Sequence, residues 1–312
     1  MNPRNTIIAI LAALTLLGAN HLIAANDSTA WPKGYVVYEG SESDDGRYGI
    51  AVPESDDVEK EKSGAGGEDY SYVNYLADLK SHKLLGKIDR SDYFAGQNHA
   101  GLKTLWSNDS SWCLIQYDER FGFSSIAILE LKEAKVIQTD ISERIRKALA
   151  TVIKPKGDGD DESGGDAMPY YQLDGGKALL RVVSTTDPKE MDTKHARYGF
   201  FQGTYDVHSK KWLNTNARRL SYEDYENSVT ALGDDIDQVV ANLDFKEQDK
   251  LQLLDEKMNQ VYGFVRTILP PARFATVKKE QIEWLKKRDA ASLEEKSKLT
   301  QERVKTLQEL LW

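Results

Sequence analysis

The chain is poor in the residues that hold proteins together covalently or through metals. Of its 312 residues only one is cysteine and five are histidine. A lone Cys forms no intramolecular disulfide. Its setting in Ser111-Trp112-Cys113-Leu114-Ile115, an apolar strand-like run, reads as a small buried hydrophobe rather than a reactive thiol. The histidines beyond the first 25 residues are His82, His99, His195 and His208, and their spacing suggests no zinc site. There is no Gly-x-Ser-x-Gly elbow, P-loop or dinucleotide fingerprint. Asp and Glu are too numerous for any pair to be singled out as a glycosidase dyad. No catalytic, cofactor-binding or metal-ligating residue is therefore nominated, and the expectation is a protein that is not an enzyme and carries no cofactor.

Basic charge is also in deficit. Lys and Arg number 41 against 50 Asp and Glu, a net charge of −9 with a pI near 5.2. A nucleic-acid partner needs a basic surface and is not expected. Apolar residues make up 40% and charged residues 29%. That balance excludes a polytopic membrane protein, a collagen-like chain and a wholly disordered one, and the length suggests two domains behind any targeting segment.

The one long apolar run is N-terminal. Arg4 precedes Ile7–Leu17, and Gly18, Ala19, Ala24 and Ala25 supply small residues before Asn26. This order predicts a signal peptide over 1–25, cleaved after Ala24 or Ala25, and a periplasmic or extracellular bacterial protein. The alternative is an uncleaved anchor over Ile7–Ala25. Asn20 and His21 inside that stretch count against it, so no stable membrane insertion is expected after cleavage.

From Trp31 to about Leu220 the chain is rich in Tyr, Trp, Val and Ile, broken by Gly, Asp, Asn and Ser clusters, as short antiparallel strands and turns require. A turn followed at once by an apolar strand occurs at Ser43–Arg47, at Asn108–Ser111 and at Leu173–Gly176, intervals of 64 and 65 residues. Each is followed by a strand-turn-strand segment, with turns at Lys80–Lys83, Lys132–Lys135 and His208–Lys211. The expected fold is β + α multidomain, with a β-repeat domain over 26–220. Three repeats are fewer than the usual closed ring of four to eight blades, and a β-sandwich built from the same hairpins is the alternative. The Asp-Gly turn before an apolar strand, Ser43-Asp44-Asp45-Gly46-Arg47-Tyr48, resembles blade motifs of bacterial periplasmic β-propellers.

Two acidic insertions, 54–68 and 154–166, read as polar loops. In the second, Asp158, Asp160 and Glu162 fall at the first, third and fifth positions of a calcium loop. Ser163 then stands where Gly is required and Pro169 where a bidentate Glu belongs, so a solvated loop is the favoured reading over a weak calcium site. Tyr70, Tyr72, Tyr75, Trp106 and Trp112 could line a sugar-binding face, but strand aromatics more often fill cores.

Beyond Leu220 the period changes. Residues 221–245 read as a linker with a short helix, carried by Ile236, Val239, Val240 and Leu243. Over 246–312, Leu251, Leu254, Met258, Val261, Val265 and Ile268 form one helical stripe, ended by Pro270-Pro271. Phe274, Val277, Gln281, Trp284 and Arg288 form a second. Leu293, Leu299, Val304, Leu307 and Leu311 form a third, opened by a capping box from Ser292 to Glu295. The stripes need partner faces, hence a small antiparallel bundle or hairpin.

Three motifs in this region carry a second resemblance. They are Leu254-Asp255-Glu256-Lys257-Met258-Asn259-Gln260-Val261-Tyr262, Gln281-Ile282-Glu283-Trp284-Leu285-Lys286-Lys287-Arg288-Asp289 and Lys298-Leu299-Thr300-Gln301-Glu302-Arg303. In that order they resemble the LprI-type lysozyme-inhibitor family of exported bacterial proteins. The resemblance implies a helical module that binds and inhibits lysozyme-like muramidases, with Trp284, Lys287, Arg288 and Asp289 as its candidate partner-binding residues. Many members carry a Cys shortly after the Arg-Asp pair, whereas Ala290-Ala291-Ser292 follows here, so this bundle must be held by packing. The alternative role for Trp284 is to fill the helix interface, with Arg288 and Asp289 as a helix-end ion pair.

Charge is divided unevenly. Residues 246–312 hold 14 basic and 11 acidic side chains, net +3, while 26–245 are net −13. An acidic β domain would steer a basic partner such as lysozyme or another basic envelope protein. Two functions are thus expected in competition. One is an inhibitor assisted by the β domain, and the other a scaffold or ligand-binding β-repeat protein whose helical module is structural.

Overall fold

The computed structural model describes residues 34–54, 73–91, 93–132, 135–153, 166–187, 189, 194–233, 235–241 and 246–312. The expected signal segment 1–25, nearly all of both acidic insertions and Tyr70 and Tyr72 lie outside them. Within them, twelve strands form three antiparallel four-stranded meanders, and six helices complete the chain. The first sheet comprises β1 (Tyr35–Val37), β2 (Tyr48–Pro53), β3 (Asn74–Asp78) and β4 (Lys83–Ile88). The second comprises β5 (Gly101–Trp106), β6 (Trp112–Asp118), β7 (Phe123–Lys132) and β8 (Lys135–Asp140). After α1 (Ser142–Ile153) come β9 (Asp166–Asp174), β10 (Lys177–Thr185), β11 (Tyr198–Asp206) and β12 (Lys211–Leu220).

Period-two alternation lets the middle sheet serve two cores at once. Cys113, Ile115, Tyr117 and Leu129 face the first sheet, where Ile50, Val52, Leu76 and Ile88 meet them. Trp112, Leu114, Ile126 and Ile128 face the third sheet, against Ala178, Leu180, Val182 and Phe201. Helix α1 joins this second core through Ile145 and Leu149. The outer edges of the first two sheets come close at Gly86, where a Cβ would lie 2.8 Å from Val136 Cβ.

The third sheet repeats the device. Phe201 points toward the middle sheet, whereas its neighbour Phe200 points the other way and meets Phe264 edge-on at 5.4 Å. That far face is covered by helices: α2 (Tyr222–Gly233), α3 (Ile236–Ala241), α4 (Glu247–Ile268), α5 (Pro271–Asp289) and α6 (Leu293–Glu309). The predicted stripe of α4 is buried through Leu251, Leu254, Met258, Val261 and Val265, with Phe264 added. Pro270-Pro271 separates α4 from α5, and Ser292 caps α6 by accepting from the Glu295 N–H. The result is a stack of four layers in chain order, sheet on sheet on sheet on helices.

The two ends of the β stack differ. At one end the short turns interlock. Ser43 Oγ donates to Asp45 Oδ1 at 2.6 Å while accepting from the Tyr48 N–H at 2.9 Å. Ser107 and Asp109, 64 residues further on, repeat the arrangement at 2.7 and 3.2 Å with Trp112. Trp106 Nε1 donates to Ser41 O at 2.8 Å, tying one buckle to the other. The opposite end gathers the longer connections. There Ala95 N–H donates to Pro53 O, and Gly122 packs against the Ala167 backbone.

Candidate functional site

The motif residues of the helical module are bonded mainly to one another. Arg288 lies over the Trp284 ring at 5.1 Å and reaches Asp255 of α4 at 2.7 Å and Asp289 at 3.0 Å. Gln281 donates to Met258 Sδ at 3.1 Å and accepts from Arg303 Nε at 2.8 Å. One chain of contacts thus runs from the first motif on α4, through the second on α5, to the third on α6. Trp284 is partly buried against the core shared with the third sheet, and the Arg288 side chain is 17% exposed. Of the four residues nominated from the sequence, Lys287 and Asp289 face solvent, and Asp289 is already held by Arg288.

Other sequence candidates also resolve into structure. Cys113 is fully buried, and burial pushes its thiol above the usual range, as its apolar setting predicts. Trp106 stacks on Tyr48, Tyr75 meets Tyr35 edge-on and Trp112 is buried, so these aromatics are packing groups. Among the described residues no group of three or more His, Cys, Asp or Glu could hold a metal ion. No described helix is long and apolar enough to cross a membrane.

What sequence reading did not find is a cleft of about 790 Å³ between the first two sheets, at the end of the long connections. Its walls come from the end of β4, the 89–100 connection, the start of β5 and the β6–β7 loop. The connection is fixed at many points. Asp89 N–H donates to Gln138 Oε1 at 2.8 Å, Arg90 pairs with Asp140 at 2.6 Å, and Ser91 Oγ accepts from Asn74 N–H at 3.0 Å. Asn74 Nδ2 donates to Tyr93 O at 2.7 Å, and Tyr93 meets Tyr38 edge-on. Arg90 and His99, both on the wall, sit at φ 56° and 59°, a conformation that costs a non-glycine residue energy. The facing β6–β7 loop is seated through Gly122, at φ 84°, where a Cβ would lie 2.9 Å from Ala167 N.

Charges in the cleft are mixed but not all paired. Asp118 is bonded to Lys103 at 2.9 Å and to Gln116. Glu119 interacts with Arg146, and Arg90 with Asp140. Among the described residues no carboxylate lies within ion-pair distance of Lys87 or Arg120; Arg120 rests over the ring of Phe121 at 5.3 Å. Tyr117, 3% exposed, is among the residues lining the cleft; its hydroxyl is buried beside Ser91 and makes no hydrogen bond of good geometry. Burial holds that phenol well above its ordinary range, so it remains a donor. Ser91 Oγ accepts from Asn74 N–H and donates to Ile88 O at 2.7 Å, which leaves it one acceptor lone pair beside Tyr117. Beside the cleft, Asn74 Oδ1 is likewise buried and unpaired.

Compared with known proteins, the chain matches no family model, no curated protein and no solved structure.

Proposed function

We propose that the chain is an exported, non-catalytic binding protein in which the β stack carries the binding surface and the helical module is a structural cap. The observation that carries this reading is the use to which the motif side chains are put. Asp255, Met258, Gln281, Arg288 and Arg303 bond across three helices whose core continues into the third sheet. Layering in chain order supports reading the three meanders as blades of an unclosed propeller, with helices where a further blade would pack. A two-layer sandwich is a poorer description of three stacked sheets.

Charge favours a second reading, in which a basic partner such as a lysozyme-like muramidase is held by the acidic β region. Residues 26–245 carry a net −13, and attraction of this kind weakens with salt. The test is muramidase activity on bacterial cell walls, with full-length mature protein titrated in at two salt concentrations and the Lys287→Glu variant in parallel. Inhibition that weakens with salt and is indifferent to Lys287→Glu is the expected pattern if a muramidase is the partner. Selective loss of inhibition in a folded Lys287→Glu protein would move the binding surface onto the helices and overturn the cap assignment.

A further inference from the structure

Building on the reading that the β stack carries the binding surface, we propose that the cleft between the first two sheets binds a small anionic ligand of the carboxylate or phosphate class. Its volume, about 790 Å³, lies in the range of small-molecule sites. Its walls are held in place before any ligand arrives, because both the 89–100 connection and the β6–β7 loop are pinned to neighbouring strands. Little ordering remains to oppose binding.

The ligand class follows from which groups are already satisfied. Of the two carboxylates in the cleft, Asp118 is paired with Lys103, while Glu119 feels the charge of Arg146 but has no ion pair among the described residues. A cationic ligand at Asp118 would have to displace Lys103. Lys87 and Arg120, against Glu119 alone among the carboxylates, lack an ion-pair partner among the described residues, so the unpaired charge of the described cleft residues is positive by one. Guanidinium and ammonium groups pair with carboxylate and phosphate through short, charge-assisted hydrogen bonds. The Tyr117 hydroxyl, stripped of water and without a hydrogen bond of good geometry, is a further donor that a ligand oxygen would satisfy. A neutral sugar fits less well. It needs an open aromatic face, and Tyr93 and Tyr117 are 4% and 3% exposed.

The experiment is titration calorimetry on the full-length mature protein at fixed ionic strength, with inorganic phosphate and succinate as separate probes and N-acetylglucosamine as the neutral one. One anion or both should bind with one site per chain, and the stronger of the two identifies the headgroup chemistry. The double variant Lys87→Gln/Arg120→Gln should weaken that binding at least about tenfold, the loss of one or more charge-assisted hydrogen bonds. Tyr117→Phe removes only the orphan hydroxyl. It should leave the melting temperature unchanged or raised while lowering affinity several-fold, a separation that a purely structural role would not produce. Lys279→Gln, at an exposed position on the far helices, should bind as the parent does. Heat from neither anion, or a double variant that binds like the parent, would overturn the proposal. If N-acetylglucosamine or a muramidase binds while neither anion does, the binding-protein reading stands and the anion assignment alone falls.

Discussion

Two interfaces of this molecule are built alike and end differently. Where the third sheet meets the helices, apolar side chains fill the contact and most motif polar groups bond to each other, Arg288 to Asp255 and Gln281 to Met258 and Arg303, leaving buried Arg303 Nη2 without a hydrogen bond. Where the first sheet meets the second, an apolar core opens at one end into a cleft lined by cations that have no ion-pair partner among the described residues, beside a buried hydroxyl without a well-formed hydrogen bond. The first is a nearly satisfied network of the kind that packed interfaces show. The second leaves polar capacity unused at a site whose walls are nonetheless fixed. Unused capacity beside a cleft is where a ligand can be recognised.

The sharpest way to break this comparison is to damage the closed interface. Phe264 is fully buried and meets Phe200 across the sheet–helix contact. Phe264→Ala should cost about 3–5 kcal/mol, as large-to-small changes in packed cores do. Because the core is continuous, near-UV and far-UV circular dichroism should report one coincident thermal transition at a lowered midpoint. A helical signal that melts ahead of the strand signal would mean that the module is a separable domain and not a cap.

A smaller effect tests the open interface at its other end. Ser43 and Ser107 are each 4% exposed and each accept the N–H of the first residue of the following strand. Ser107→Ala strands the Trp112 N–H, which should cost about 1–3 kcal/mol, and Ser43→Ala should cost a similar amount through Tyr48. Urea unfolding of both variants measures this. Equal losses would establish the two buckles as true repeats, and a large loss in one alone would make their 64-residue spacing incidental.

These serines also show what could be read from the sequence and what could not. The buckles and the turns after them are local, so residue type and spacing carried them into view, and the sheets follow at 48–53, 112–118 and 177–185. The helix stripes were equally legible, since each is a property of one segment. Helices α1 and α2 were not read, because Ser142–Ile153 and Tyr222–Gly233 mix polar with apolar positions and gain their partners only from distant strands. The cleft was hidden for a related reason. Lys87, His99 and the Tyr117–Arg120 segment come from three separate stretches, and none is unusual in its own neighbourhood. Its one local trace is the charged Asp118-Glu119-Arg120 loop closing an otherwise apolar hairpin. The motif residues of the helices were conspicuous in sequence, and their spacing is explained by cross-helix bonding.

The smallest effect concerns a carboxylate near the cleft end. Asp166 opens β9 beside Gly122, and burial, then the charge of Asp118, raises its carboxyl above the usual range. A folded state that holds this proton more tightly than the unfolded chain is favoured by it below the ordinary carboxylate pKa of about 3.9. That advantage is lost as pH rises through the raised folded value, so at neutral pH the ionised group opposes folding. Asp166→Asn keeps the shape and removes the charge. Its melting temperature should exceed the parent's by about 1–3 °C at pH 7, and the difference should shrink toward zero as the pH falls below that of a free carboxylate. Melting curves of both proteins across this range measure it directly. A variant less stable than the parent at pH 7 would mean that Asp166 is held by a favourable cation contact, and the acidic edge beside the cleft would then be balanced rather than repulsive.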